Sequence, residues 1–393
     1  MSCFSNRTDI IEHNNVTSKL KYMANLLPKS KMLASEGEET GRYPFYTSSE
    51  RLTLRTDIAT YDEESLILGT GGTFSIHYCN EPFSTSTDCL VLLTNIYTRF
   101  LYYFLVSQSR IIDDIGFYGM GLRHLQRDFL LSINCPTPSC QTQQAIADYL
   151  DLKTSQIDSI ISNLTNQNKK LSEYRKSLIS EAVTKGLDKT VKMKDSGIPW
   201  IGQIPEDWEI KRLKDYFVFR KGEKSALYTK DYIDSHSGEY PVYSGQTESR
   251  GIMGMIDSFD CDFDECLFTT TVGANAMSTK LLKGKFSLSQ NCLIMLKKEV
   301  CECRFVNYLL QPLFDYEKSK IPSTTQPSLR CIDLNFYQLC MPSINTQQAI
   351  ANYLDLKTSQ MDSIIEDQEK LIELLKEYRK SVISEAVTGK VIV

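Results

Sequence analysis

The chain has 393 residues, 41% hydrophobic and 24% charged, enough to build two or more cored domains of ordinary composition. Its net charge of −5 counts against a free-standing basic DNA-binding module, although acidic and basic surface can be segregated. No apolar run is long enough to cross a membrane, the N-terminus lacks a basic and then apolar leader, and neither the 12 scattered cysteines nor the isolated His13, His77, His124 and His236 have zinc-ligand spacing; reduced thiols in a cytoplasmic protein are expected.

Residues 1–140 form a first variable block. Leu20 to Leu27 is short and apolar, and a turn-rich stretch then leads to Gly41-Arg42-Tyr43-Pro44-Phe45-Tyr46-Thr47-Ser48. Ser65-Leu66-Ile67-Leu68 reads as a strand running into the glycine turn Gly69-Thr70-Gly71-Gly72. Cys89 to Leu93 reads as a buried strand, the aromatic run Thr98 to Ser107 as a helix on the sheet, and Ile133 to Pro136 as a strand stopped by proline.

Residues 141–186 form a long amphipathic helix, and residues 346–393 repeat it. TQQAIADYLDLKTSQIDSII from Thr142 returns as TQQAIANYLDLKTSQMDSII from Thr346, and EYRKSLISEAVT from Glu173 returns from Glu377 with only Leu178/Val382 changed. Such an internal repeat implies two equivalent halves related by a near two-fold. Leu150, Ile157, Leu164, Leu171 and Leu178 recur every seventh residue, with Ile146, Ile160 and Tyr174 on the expected second row. The second copy offers Leu354, Met361, Leu375 and Val382, with Ile350, Ile364, Leu371 and Tyr378 beside them. Each helix should be roughly 60 Å long, and the two should pair antiparallel through Leu150, Ile157, Ile160, Leu171, Leu354, Met361, Ile364 and Leu375. Asn345 with Gln348 suits an N-terminal capping box, and Gly186 and Gly389 suit C-terminal caps.

Residues 187–345 open with a charged linker, Leu187 to Gly197, and repeat the first block with looser identity. Gly238 to Gly245 answers the Gly41 motif, Leu267 to Gly273 the Leu66 strand, Phe305 to Leu310 the Phe100–Leu105 helix, and Leu329-Arg330 answers Leu122-Arg123. The fold class expected is α+β: two similar mixed domains separated by two long antiparallel coiled-coil helices.

No catalytic apparatus is evident. Gly69-Thr70-Gly71-Gly72 is not G-x-G-x-x-G, and no Walker lysine follows it. Asp195 with Glu209-Ile210-Lys211 superficially resembles a nuclease set but lacks a second metal-binding carboxylate. No nucleophile elbow is present, and neither a metal site nor a catalytic residue is expected. What remains are polar and aromatic turns that differ between the halves: Tyr46, Thr47, Ser48, Arg51 and Thr70 in the first, and Tyr243, Ser244, Gln246, Arg250, Thr270, Asn275 and Gln290 in the second. Such side chains read base edges and hold phosphates, whereas a solvated loop is the plainer reading of any one of them.

Asp195-Ser196-Gly197-Ile198-Pro199-Trp200-Ile201-Gly202 with Ile204-Pro205-Glu206-Asp207-Trp208, and the helix entries Thr142 to Ala147 and Thr346 to Ala351, resemble the specificity subunit of type I restriction–modification systems over nearly the whole chain. The resemblance implies a non-catalytic subunit with two target recognition domains, reading a bipartite site on double-stranded DNA. It also implies two modification (methyltransferase) subunits and ATP-dependent restriction subunits as partners; S-adenosylmethionine, ATP and Mg would belong to those partners. The first half lacks the Asp195–Trp208 lead-in: Lys19-Leu20-Lys21-Tyr22 joins where Arg212-Leu213-Lys214-Asp215 stands, and Met1 to Ser18 is unlike the second half. A coiled-coil scaffold that binds only proteins is the alternative.

Overall fold

The computed structural model describes residues 16–121, 123–245, 251–322 and 324–391. By compactness the chain divides into unit 1, Met1–Thr165 with Glu369–Val393, and unit 2, Asn166–Gln368. Each long helix contributes one part to each unit.

Unit 1 contains β1 (Thr17–Lys19), β2 (Ala24–Leu26), β3 (Tyr43–Tyr46), β4 (Leu54–Thr56), β5 (Ser65–Gly69), β6 (Ile76–Cys79), β7 (Ser84–Thr85) and β8 (Cys89–Thr94). Then come α1 (Thr98–Ser107), α2 (Ser109–Ile115), β9 (Phe117–Tyr118), β10 (His124–Leu125), α3 (Arg127–Ser132), β11 (Asn134–Pro136) and the first part of α4 (Cys140–Lys185). The main sheet has the order β2-β8-β5-β6, and a smaller one the order β4-β3-β7. Apolar runs such as Leu66, Ile67 and Leu68 are buried on both faces of β5.

Unit 2 contains β12 (Met193–Asp195), β13 (Gln203–Pro205), β14 (Glu209–Arg212), α5 (Leu213–Tyr216), β15 (Phe217–Arg220), α6 (Lys230–Ser235), β16 (Ser237–Tyr243), β17 (Ile252–Ile256) and β18 (Cys261–Thr270). They are followed by β19 (Thr279–Leu288), β20 (Cys292–Lys297), α7 (Cys303–Ser319), α8 (Cys331–Leu334), β21 (Gln338–Met341) and the first part of α9 (Ile344–Val387). Its main sheet is six-stranded, β15-β20-β18-β19-β16-β17, beside the two-stranded pairs β12-β13 and β14-β21. The parallel pair Val242↔Ser287 of unit 2 matches Phe45↔Ser84 of unit 1. The sheet is continuous only in unit 2, because Pro82, which cannot donate a ladder hydrogen bond, separates β6 from β7 in unit 1.

The two units share a topology that fixes their correspondence. Strand β1 pairs antiparallel with β11 as β14 pairs with β21. Leu20 N–H donates to the Ile133 carbonyl as Leu213 N–H donates to that of Tyr337. The junction of Lys19-Leu20 with Arg212-Leu213 is therefore borne out. Leu125 N–H donates to the Thr70 carbonyl as Leu329 N–H donates to that of Thr271. Leu329 thus corresponds to Leu125, not to Leu122, which lies outside the described residues. The lead-in has a structural task in unit 2: Ile198, Ile201, Ile204 and Trp208 are buried in one cluster with Ile179, Ala182 and Val183 of α4.

One joint attaches each unit to its copy of the long helix. In unit 1 the buried Gln143 accepts from Tyr97 N–H at 3.0 Å and donates to the Pro138 carbonyl at 2.8 Å. In unit 2 Gln347 accepts from Glu302 N–H at 3.0 Å and donates to the Pro342 carbonyl at 2.8 Å. Two turns on, Asp151 holds Arg99 and accepts from Tyr103 Oη at 2.5 Å, and Tyr103 meets Thr154 at 3.1 Å. Asp355 correspondingly accepts from Arg304 at 2.7 Å and from Tyr308 Oη at 2.9 Å, and Tyr308 meets Thr358 at 3.0 Å. Burial pushes the Tyr308 phenol up to about 12, so it stays a neutral donor. The repeat therefore conserves a domain-anchoring face as well as a helix-pairing face.

Within each unit the two long helices run antiparallel. In unit 1 Leu150 is buried in one cluster with Val382, Ile383 and Ala386, and Arg379 reaches Asp158 at 2.9 Å. In unit 2 Ile179, Ala182 and Val183 share a cluster with Ile350 and Leu354, and Arg175 reaches Asp362 at 3.1 Å. Leu150, Ile157, Leu354 and Met361 are buried as expected, and Leu171 and Leu375 are half-buried. The second row is corrected. Its first members, Ile146 and Ile350, are buried, but Ile160 is 46% and Ile364 48% exposed, and Tyr174, Leu371 and Tyr378 are also exposed. The inward row lies one residue on, at Thr154, Ile161, Asn168 and Arg175, and at Thr358, Ile365, Ile372 and Arg379. Residues three and four from a seam position lie on either side of it, so an Ile-Ile pair is ambiguous in sequence.

The helix starts are corrected too. Ser343 caps α9, its Oγ accepting from Thr346 N–H at 3.3 Å, as Ser139 caps α4 through Thr142 N–H at 3.2 Å; Asn345 already lies inside the helix. Gly186 and Gly389 are left-handed, each at φ 73°, as C-terminal caps require.

Two stability predictions follow from this packing. Ile157→Asp places an unpaired charge in a buried seam and should cost at least ~3 kcal/mol, whereas Ile160→Asp on the exposed face should stay within ~0.5 kcal/mol; urea midpoints of the free chain test both, and equal effects would refute the corrected row. Gln347→Ala leaves a buried N–H and a buried C=O without their partner and should cost roughly 2–4 kcal/mol. The same substitution at the neighbouring exposed Gln348 serves as its control in thermal melts.

Candidate nucleic-acid interface

The polar turns named from sequence converge at the strand ends of each unit. In unit 2 a cleft of about 440 Å³ is lined by Tyr228, Thr229, Ser244, Gly245, Gln290 and Asn291, among others. Ser244 is buried at the exit of β16, and its N–H donates to the Gly251 carbonyl at 2.8 Å. Asn275 Nδ2 donates to the Gly245 carbonyl at 3.1 Å and so ties the β18–β19 loop to the β16 exit. Thr270 Oγ1 donates to the Asn275 carbonyl and accepts from Ser278 N–H at 3.1 Å. Gln290 and Asn291 are exposed at the rim. Gln246 and Arg250 lie outside the described residues.

Unit 1 closes the matching loop with different chemistry. Ser48 Oγ donates to the Asp88 carbonyl at 2.7 Å and accepts from Thr70 N–H at 3.2 Å and Gly71 N–H at 3.3 Å. Thr70 Oγ1 donates to the same carbonyl at 2.9 Å. Strand register pairs Gly69 with Cys89 and Thr270 with Cys292, so Gly69 occupies the place of Thr270. A Cβ at Gly69 would collide with Ser75 Oγ and lie 2.9 Å from Ser48 Cα; glycine makes room for Ser48, whose hydroxyl ties the turn to the Asp88 carbonyl, whereas the Thr270 hydroxyl ties its own loop at Asn275 and Ser278. Thr47 is half-buried, its hydroxyl accepting from Ser49 N–H at 3.3 Å, and Arg51 is exposed.

Two candidates are thereby corrected. Tyr46 is 6% exposed, its ring wedged between His77 at 5.1 Å and Phe83 at 5.7 Å. Thr270 is 4% exposed and acts as an internal strut. Both are too enclosed to touch a duplex. Tyr243, at the place of Tyr46, is half-buried between Phe268 at 5.9 Å and Phe286 at 5.8 Å.

Sequence reading missed one matched pair. Ile67↔His77 and Phe268↔Lys280 put His77 and Lys280 at the same strand position. Lys280 Nζ lies 4.1 Å from the Tyr243 ring centroid, where His77 faces Tyr46. Burial pushes both side chains below their ordinary values. Aligning the halves on Cys89 and Cys292 would have exposed this pair. Tyr228 and Thr229, which line the cleft, follow a stretch with no counterpart motif in the first half and carried no signal. Glu209 and Lys211 form an exposed ion pair with each other at 2.7 Å on β14. Among the described residues no three His, Cys, Asp or Glu side chains are grouped to hold a metal, and no helix is long and apolar enough to cross a membrane.

Two α+β units of one topology, each jointed to one copy of a repeated helix, define a tandem protein with a polar cleft at the strand ends of one unit and a differently built turn at the same place in the other. The chain belongs to the family of the type I restriction modification DNA specificity domain, whose model matches residues 12–172 and again 205–375. It is 29% identical over 252 residues to a provisionally named type I specificity subunit of Mycoplasma pneumoniae, covering 63% of this chain and 90% of that one. It is 23% identical over 320 residues to the type I restriction enzyme MjaVIII specificity subunit of Methanocaldococcus jannaschii, covering 73% and 67%. In fold it matches a chain from a structural study of assembly and conformational transition in the type I R-M system, with a TM-score of 0.67 over 96% of this chain and 98% of that one at 12% identity.

The half-buried His77 yields a pH prediction. Just below the ordinary histidine value of 6.5 the unfolded chain binds a proton at His77 that the folded chain resists. Stability therefore falls as pH is lowered through that window. His77→Gln should flatten the decline in melting temperature between about pH 7 and about pH 5; an unchanged slope would place the sensitivity elsewhere.

Proposed function

We propose that this chain is the sequence-reading subunit of a type I restriction–modification assembly. Each unit contacts one part of a bipartite site on double-stranded DNA, with loops in the major groove, where base identity is unambiguous. The observation that carries this reading is the contrast between the joints and the loops. The joints repeat residue for residue, whereas the turns at the strand ends are closed by different side chains. Arg51 in unit 1 and Gln290 and Asn291 in unit 2 are exposed at those turns and are the first candidates for DNA contact.

The chain carries no chemistry of its own in this reading. Two methyltransferase subunits supply S-adenosylmethionine and flip the target adenine, and ATP- and Mg-dependent restriction subunits add cleavage in the cytoplasm. The outward faces of the long helices support docking of partner helices. Leu152, Ile160, Leu371, Leu374 and Tyr378 in unit 1, and Tyr174, Leu356 and Ile364 in unit 2, are exposed.

Co-expression with a type I methyltransferase subunit from the same genome, followed by mapping of methylated adenines, tests the reading. The expected result is a motif of two short parts at fixed spacing. A stable complex without methylation would favour a protein-binding scaffold, and a palindrome built from one part would show that only one unit reads.

A further inference from the structure

The loops after β5 and β18 each return one apolar side chain to the core. In unit 2 this is Met277, whose N–H donates to the Thr270 carbonyl at 2.8 Å. It is buried in the cluster that holds Ile179 of α4 and Leu310 and Leu313 of α7. Its φ is 62°, making it the one non-glycine residue with positive φ among the described residues. A side chain tolerated in that conformation is held there by its surroundings. In unit 1 Phe74 occupies the same place, because Gly69 N–H donates to the Ser75 carbonyl as Thr270 N–H donates to that of Ser278. Phe74 is buried with Ile112 of α2 and Ile383 of α9, and its N–H donates to Asp113 Oδ1 at 2.9 Å. Ile179 and Ile383 are the same position of the repeated helix.

Between strand and anchor lie the polar groups of the interface: Thr70 and Gly71, tied to Ser48, in unit 1, and Asn275, tied to Gly245, in unit 2. We infer that Met277 and Phe74 are positioning residues for DNA readout, each pinning the loop at its own unit's strand ends to the core beside the repeated helix. Neither touches DNA. Each sets the geometry of one half of the site, so its loss blurs that half alone. This inference rests on the function proposed above.

The test uses the full chain assembled with its methyltransferase subunits and reads the methylated motif. Met277→Gly removes the anchor and relaxes the backbone. It should reduce base discrimination in one half of the motif on the order of tenfold or more, with the other half unchanged. Phe74→Ala should do the same to the opposite half, and Met277→Leu, which keeps the anchor, should preserve the wild-type motif. A role in stability alone would lower the yield of complex without altering the motif. An assembled Met277→Gly complex with an unchanged motif, or with both halves relaxed equally, would overturn the inference. If that variant does not assemble, Phe74→Ala decides by the same two outcomes. A wild-type complex with no bipartite motif would instead overturn the proposed function, and the inference with it.

Discussion

The rest of the structure depends on a buried amide. Gln143 and Gln347 each sit where a strand leaves the unit, a helix of the unit begins and the long helix starts. A glutamine side chain offers one acceptor and two donors from a single rigid group, so it can satisfy a backbone N–H of one segment and a backbone C=O of another. The amide itself is buried in both units, which makes the joint costly to break and specific in geometry. The Arg–Tyr–Asp–Thr set two turns on fixes the rotation of α1 in unit 1 and of α7 in unit 2 about the long helix. Orientation is thereby settled with few residues: a glutamine, an aspartate and a threonine on the repeated helix, and an arginine and a tyrosine on the helix that it holds.

That economy leaves the remainder of each unit free to diverge. Unit 1 breaks its sheet at Pro82, and unit 2 continues it through β19. Unit 1 closes its loop with a serine borrowed from a neighbouring turn, and unit 2 uses a threonine on the strand itself. The position beneath the first turn carries an imidazole in one unit and an ammonium in the other. The lead-in of unit 2 adds Trp208 over the end of α4 without disturbing the joint.

Much of this was legible in sequence where the signal was repetition. The identical helix blocks, the alternation of blocks and the junction at Lys19-Leu20 could be read directly, because the same residues recur at matched spacing. Legibility failed where two adjacent residues compete for one role. Ile160 and Ile161 are equally apolar, and only the partner helix decides which faces inward. Ser343 and Asn345 are both good capping residues, and the Pro342 carbonyl held by Gln347 settles the start in favour of serine. Tyr46 and Tyr243 look alike in sequence. What separates them is the neighbour supplied by a strand some thirty residues away, invisible until the register is known. Several hydroxyls of the polar turns are consumed in holding the loops rather than left outward.

The mirrored ion pairs Arg379–Asp158 and Arg175–Asp362 carry a further consequence. Each arginine meets the aspartate of the other copy, and the two copies present nearly the same seam. Side-chain chemistry therefore scarcely distinguishes a helix of the same chain from the equivalent helix of another molecule. Fidelity of pairing is left to covalent tethering, which raises the local concentration of the rightful partner far above that of any stranger. A chain severed in its central linker would lose that advantage while keeping every contact that the seam can offer.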